Sequence, residues 1–395
     1  MPGNGYAYAV AQTQIGAAIE TTRGVAVAPK FWLPVKAPKY APDITVIPDE
    51  TLQGSMVAVY NDVLGLRYDK HGWDSFPYLD SFPLLVRAEL GSADTVITAS
   101  PSTTLSTAVA VGATTMKTAA KPTVGTYVAV GSTPQVEAKK IVTVTGTVAP
   151  FTVTVSSPFV FAHAAASPVT GLTGHKFSLL NNAGKGNQPP SVTITDYDGE
   201  EWRQLTAAQL DELTIKGNAT GFVDYTCTWF ANPSTTPTAP TPSFSSVQAL
   251  PGWSFQGTIG GGAPSPIIDW EFDFKRGVKP IPALTGTQAY LLYFADVLQA
   301  TGKITVLAQT GEPELNAFLK GVQEPLDFSV FDVKEGFVMD IHSSKAMFKT
   351  ASLERGKEEV EVPLDVQLLP TATDATAGGV SPCTVTVWNA TATAY

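Results

Sequence analysis

The sequence predicts an all-β protein with short helices, in which one β-sandwich or barrel unit is used twice and a smaller β-sandwich is inserted into the first. Three observations lead there. From Ile267 the chain alternates strictly, with Ile268, Trp270, Phe272 and Phe274 on one face and acidic or neutral residues between them, the period of a half-buried strand. That strand runs into a basic, proline-punctuated arm, and an earlier stretch echoes it. Phe31-Trp32-Leu33-Pro34-Val35 leads to Pro38, Tyr40 and Pro42, and Ile47-Pro48 and Leu52-Gln53-Gly54 parallel Ile281-Pro282 and Leu284-Thr285-Gly286. Between Thr95 and Gly171, finally, Thr, Val, Ala and Ser dominate and Glu137 is the only acid.

Taken in order, small and apolar residues from Tyr6 to Thr13 lead to Ile15-Gly16, then Glu20 to Val25 and the first arm. Prolines fix φ and remove amide donors, so both arms are expected to be extended and to project from the sheet. Met56–Tyr60 and Val63–Tyr68 read as strands. Asp80 to Gly91 reads as a short helix opened by Pro83 and closed by Gly91. The insert shows strands at 126–130, 140–144 and 151–155 between Gly and Pro turns, the spacing of a small sandwich. The first unit resumes with Ser191–Thr195, a turn at Asp198-Gly199, and a closing hairpin from Glu212 to Phe230. The second repeats the order: strand Lys303–Leu307, helix Glu312–Gly321, a closing hairpin ending at Leu369, and a last strand Cys383–Trp388. Two correspondences, at the arm and at the hairpin, argue for internal duplication. The expected divisions are 1–94 and 173–232 for the first unit, 95–172 for the insert, 233–246 for a Thr/Pro/Ser linker and 247–395 for the second unit.

Composition excludes several classes. With 44% hydrophobic residues the chain is not disordered. Charged residues are 15%, against roughly 25% in an average soluble protein, and surface buried between subunits tends to lose charge. A net charge of -10 argues against a protein that grips nucleic acid through its phosphates. Cys227 and Cys383 are expected as buried reduced thiols. Met1 to Gln14 has no basic start or long apolar run, so no signal peptide is expected. No stretch of about 20 apolar residues suggests a membrane helix.

No catalytic constellation emerges. His71, His163, His175 and His342 are scattered and share no zinc-ligand spacing. Asp196 to Glu201 lacks the ligands of a calcium loop, and its Asp-Gly reads as a hairpin turn. Gly257–Gly262 does not fit a dinucleotide motif, Gly184-Lys185-Gly186 lacks half of a P-loop, and no GxSxG elbow occurs. No catalytic, cofactor or metal site is therefore expected. The arms are the better candidates: Trp32, Pro34, Lys36, Lys39, Tyr40 and Pro42 on the first, Lys275, Arg276, Lys279, Pro280 and Pro282 on the second. Their basic residues suit acidic surface on a neighbouring copy, and aromatic residues between prolines suit burial by another subunit.

Ile15-Gly16, Glu20-Thr21-Thr22, Gly24, Trp32-Leu33-Pro34-Val35, the long arm ending near Gly54 and the strand-turn-strand from Leu213 to Phe230 resemble the tail tube proteins of long-tailed, non-contractile bacteriophages. The insert is similar to the immunoglobulin-like decorations of phage tail proteins. The resemblance implies a structural virion protein, not an enzyme, that self-assembles into stacked rings. It implies inner sheets joined into one wide barrel and an extended loop bridging successive rings. Three chains would make a pseudo-sixfold ring if both halves are tube units, and six chains otherwise. The implied partners are further copies of the chain, a tape measure protein, tail terminator or tip proteins, and phage DNA passing without specific binding. The implied locations are the virion tail and, before assembly, the host cytoplasm. The competing reading is a carbohydrate-binding or adhesin-like β module, suggested by the Thr-rich insert and the exposed aromatics.

Overall fold

A computed structural model of the chain describes residues 10–395 apart from Leu52, residues 182–185, Asn187, Ala263, Thr285, Leu291, residues 357–358 and Ala377. The start of the chain through Ala9 and the Gly184-Lys185 pair lie outside the described residues. The first part contains β1 (Gln14–Ile19), β2 (Phe31–Leu33), β3 (Lys39–Asp49), β4 (Asn61–Ser75) and α1 (Pro83–Leu90). There follow β5 (Thr95–Ile97), β6 (Thr103–Thr104), β7 (Thr115–Thr118), β8 (Tyr127–Val130), β9 (Glu137–Thr145), β10 (Phe151–Val155), β11 (Pro168–Gly171) and β12 (Thr173–Ser178). Then come β13 (Val192–Tyr197), β14 (Trp202–Asn218), β15 (Asp224–Ala231), β16 (Gln256–Ile259), β17 (Ile267–Lys275), β18 (Lys279–Ile281), β19 (Leu292–Phe294) and β20 (Gln299–Leu307). The chain closes with α2 (Pro313–Lys320), β21 (Gln323–Phe331), β22 (Val338–Ala351), β23 (Glu361–Leu368) and β24 (Thr384–Asn389). The fold is all-β with short helices.

Antiparallel pairing runs β1-β13-β14-β15-β4-β3 in the first part and β16-β21-β22-β23-β20-β17 in the second. The two orders match strand for strand. They also match rung for rung. Tyr40, His71, Trp229 and Leu210 lie opposite one another across β3, β4, β15 and β14, as Phe272, Gly302, Val366 and Phe348 do across β17, β20, β23 and β22. One residue beyond that rung each ladder carries a bulge, at Asp211 in β14 and at Lys349 in β22, and bulges are specific features of a fold rather than accidents. Both helices open on a proline and end on a left-handed glycine, Gly91 (φ 86°) and Gly321 (φ 65°), whose amides return to carbonyls of the last turn.

The two sheets fuse where β14 pairs with β17, from Glu212 opposite Lys275 to Asn218 opposite Asp269. β24 extends the second sheet, lying between β22 and β12, with β5 beyond β12. Sixteen strands thus belong to one sheet system. The apolar face of β17, with Trp270, Phe272 and Phe274 all buried, meets Phe255 and Phe328 in stacked and edge contacts. In the first part Trp73 stacks on Trp229 at 5.9 Å and donates its indole N–H to the Tyr225 hydroxyl. Glu20 explains part of the opening motif: its carboxylate accepts from the amides of Gly24 and Ala207 and the hydroxyls of Ser191 and Thr193. Gly24 makes that turn at φ 77°.

Residues 103–171 form a separate six-stranded sheet, β6-β11-β8-β9-β10-β7, around its own apolar cluster of Leu105, Met116, Val128, Ile141, Val153 and Phe159. The inbound strand β5 pairs with the outbound β12, Val96 opposite His175, so the chain leaves and returns at neighbouring points and the sheet beneath is undisturbed. Glu137 is fully buried. It holds Lys139 Nζ at 2.9 Å and His163 Nε2 at 2.8 Å and accepts the amides of Val160 and Phe161. Burial draws the Lys139 ammonium below its ordinary pKa, and Glu137 opposes that shift.

Two local expectations are corrected. Met56–Tyr60 is not a strand; Tyr60 donates its amide to Asp49 O, so those residues belong to the loop of the β3–β4 hairpin. The first arm is itself a paired strand, with Pro42 and Pro48 inside β3. An edge strand tolerates proline because the missing amide can face away from its neighbour. Cys227 and Cys383 are buried, unbridged thiols, as expected. Glu137→Ala is expected to strand the buried Lys139 charge and cost about 3–5 kcal/mol. Hydrogen exchange should accelerate in 103–171 and in the Val333–Gly336 turn that packs on Ala129 and Val136, while Trp229 and its neighbours stay protected; equal loss across the chain would contradict a core of its own for that sheet.

Candidate assembly surface

The eight strands β3-β4-β15-β14-β17-β20-β23-β22 form one uninterrupted antiparallel run. Side chains alternate across it, so the face opposite the aromatic core is polar. One rung on that face reads Asp224, Lys216, Glu271, Lys303, Asp365 across β15, β14, β17, β20 and β23. The signs alternate at every step, the arrangement that stabilises directly opposed cross-strand pairs. The neighbouring rungs carry Thr214 bonded to Asp273 at 3.0 Å, and Glu212 with Lys275 at 3.5 Å. These lysines have acidic neighbours on the sheet, so the surface offers few unneutralised cations to a phosphate chain.

The β3–β4 hairpin exposes Ile44, Val46, Ile47, Met56, Val57, Val59, Val63 and Leu64, and the second arm exposes Ile281 and Leu284. The arms lie side by side: Arg67 N donates to Gln288 O at 2.8 Å, and Tyr68 meets Tyr290 edge-on at 5.4 Å. Apolar side chains left open to solvent in this number on one hairpin make it a candidate contact surface.

The residues expected on the arms divide by role. Trp32 is 5% exposed and packs on Trp202 and Phe244, because β2 pairs with β1 as part of the body. Arg276 is 3% exposed and donates to the carbonyls of Glu89 and Leu90, capping the C-terminal end of α1. Both are used inside the protomer. Burial raises the Glu89 carboxyl well above its ordinary pKa although Arg276 opposes the shift. Tyr40 donates to Asp69 at 2.6 Å beneath Arg203, and the Pro34 carbonyl accepts from Ser75. Lys36 pairs with Asp224 and sits over Phe76; Lys275 pairs with Glu212, and Lys279 with Asp296 at 2.6 Å. Pro280 is half-buried, while Pro42, Pro282 and Lys39 are exposed. Sequence reading missed the polar rung, whose members are spread from 216 to 365 and come together only through strand order.

The histidines are separated, each beside its own carboxylate: His71 with Asp196, His163 with Glu137, His175 with Asp94, and His342 with Asp327. Among the described residues no group of three or more His, Cys, Asp or Glu is placed to hold a metal ion, and no helix is long and apolar enough to cross a membrane. A cleft of about 530 Å³ is lined by Glu20, Arg23, Arg87, Gln188 and Phe294, but Glu20 is already saturated by its four donors.

The fold and its surface therefore define a structural β-protein whose distinctive features are strand edges and an apolar arm. A family model for phage tail tube proteins matches residues 92–368, well over half of the chain, and the chain belongs to that family. It is a self-assembling structural component of a phage tail, in a family not known for enzymes. No curated protein matches the sequence.

The Asp327 hydrogen bond at 2.6 Å raises the His342 pKa above 6.5. Burial disfavours the Asp327 charge, but His342 more than offsets it and holds that carboxyl below 3.8. The histidine contribution to stability is complete below its unfolded pKa and fades as pH rises through the raised one. The aspartate contribution fades as pH falls through the lowered one. His342→Gln should thus lower Tm most near about pH 5 and least near about pH 9; a pH-independent difference would refute this coupling.

Proposed function

We propose that each of the two matching units is a tube unit and that three chains close into a pseudo-sixfold ring. The observation that carries this reading is the repeated strand order, in which the two units are joined at β14–β17 into one eight-strand run whose two ends, β3 and the end of β22, stay open. Six such units in a ring give a barrel far above the roughly 16–18 strands that already enclose an aqueous channel. Joining edges around a closed ring also removes sites of uncontrolled pairing. The polar face of the eight-stranded run lines the bore, which encloses the tape measure protein and later conducts DNA, its lysines set opposite acidic residues so that the duplex slides without being gripped.

The apolar β3–β4 arm reaches the next ring, a heterologous contact that repeats without closing and so grows a filament. Residues 103–171 form an immunoglobulin-like decoration on the outside. The finished tube belongs to a long, non-contractile tail and meets tail terminator and tip proteins at its ends, having been assembled from subunits in the host cytoplasm.

Negative-stain microscopy of the purified chain tests this reading: hollow filaments are expected, whereas a monomer retained on immobilised polysaccharide would favour the carbohydrate-binding alternative. Replacing Val46, Ile47, Val63 and Leu64 together by serine removes apolar contact worth about 25 cal/mol per Å². The variant should keep the wild-type circular dichroism spectrum but stop at single rings, and filaments of undiminished length would rule out stacking by this arm.

A further inference from the structure

The seam between the two units inside the chain supplies a template for the seam between chains. β17 is paired on both sides, by β14 and β20, whereas its equivalent β3 is paired only by β4. Likewise the end of β14 has β15 on one side and β17 on the other. The matching end of β22 has β23 alone. Glu354 exchanges both backbone hydrogen bonds with Glu361, at 2.8 and 3.1 Å, so by alternation Ala351, Leu353 and Arg355 turn their amides and carbonyls to the open side.

We propose that β3 of one chain pairs antiparallel with residues 350–356 at the end of β22 in a second copy, in the register of β14 with β17. This rests on the ring reading above and specifies its seam. Superimposing the Leu210 rung on the Phe348 rung and Tyr40 on Phe272 carries the internal pairs over directly. Glu212 with Lys275 becomes Thr350 with Asp43, Thr214 with Asp273 becomes Ser352 with Ala41, Ile215 with Phe272 becomes Leu353 with Tyr40, and Lys216 with Glu271 becomes Glu354 with Lys39.

The last pair is the informative one. The internal seam opposes a lysine on the β14 side to a glutamate on the β17 side; the external seam opposes a glutamate on the β22 side to a lysine on the β3 side. Complementarity is kept and the signs are exchanged. Among the described residues Lys39 and Glu354 form no ion pair within the protomer, unlike Lys36, Lys275 and Lys279, which do. The bulges repeat the inversion, since Asp211 precedes Glu212 beside Lys275, and Lys349 precedes Thr350 beside Asp43. The edges of β14 and β17 are already paired within each chain, so along this run a second copy finds only β3 and the end of β22 open, and the two unit types alternate around the ring.

The backbone makes this dependence on charge stronger. Arg276 donates its amide to Asp211 O at 2.8 Å, so the even-numbered residues of β17 face β14. Their equivalents include Pro42 in β3 and Pro38 just before it, which have no amide to give. The external ladder retains the Tyr40 N–H and the proline carbonyls as acceptors, so fewer backbone bonds hold the seam and the side-chain pair decides its register.

Lys39→Glu and Glu354→Lys, each at an exposed position, should leave circular dichroism and Tm unchanged. Each should lower the pelletable assembled fraction at least about tenfold, as like charges across an interface do. The double exchange Lys39→Glu with Glu354→Lys should restore assembly. A chain carrying Ala41→Cys and Ser352→Cys, oxidised in air with copper phenanthroline, should give a covalent ladder that ends at three chains. If wild type polymerises but the double exchange fails to recover and no ladder forms, this register is wrong while the tube reading stands. If wild type forms no cylinders at any concentration, the tube reading falls and the seam with it.

Discussion

An antiparallel sheet always ends in two rows of unpaired amides and carbonyls, and the whole architecture turns on where those rows are placed. Each six-strand unit disposes of its apolar face internally, through packing such as Trp73 on Trp229 or Phe272 on Phe328. The edges have no such internal solution, because pairing requires another strand in register. Along the eight-strand run the two units are joined at β14–β17. The two ends of that run, β3 and the end of β22, are left open.

The same division governs where charge is found. On the polar face of the fused sheet, Asp224, Lys216, Glu271, Lys303 and Asp365 stand opposite one another with alternating sign, so the surface is highly charged yet locally compensated. The arm is the reverse, with Ile47, Met56 and Leu64 open to solvent on a hairpin whose edge strand carries prolines. Prolines on an exposed edge discourage indiscriminate strand addition, while apolar side chains preserve a surface that a matching partner can cover. Strong body, polar face and apolar limb are three uses of one alternating strand pattern.

Much of this was legible in the sequence, for physical reasons that can be named. The period-two run ending at Phe274, the Pro-opened and Gly-closed helices, the Asp198-Gly199 turn and the closing hairpins are local signals, and the backbone follows them. The repeat was visible in the arms, although the better evidence, matching bulges at Asp211 and Lys349, needs registers that no single strand encodes. The roles of Arg276 and Trp32 were not legible, since the carbonyls of α1 and the rings of Trp202 and Phe244 come from distant segments. Glu137 drew notice as the sole acid of its region, but composition alone gave no hint that it would be a buried pin for Lys139 and His163.

The insert enters and leaves through the adjacent strands β5 and β12, which β24 ties to the second unit, so each chain carries one insert for its two matching sheets. In the three-chain ring proposed above, a cylinder made from such chains would be studded at every other position of its circumference, three knobs around six staves. Two staves in one polypeptide would make that sparser ornament possible, because a single-stave subunit would have to carry it everywhere or nowhere.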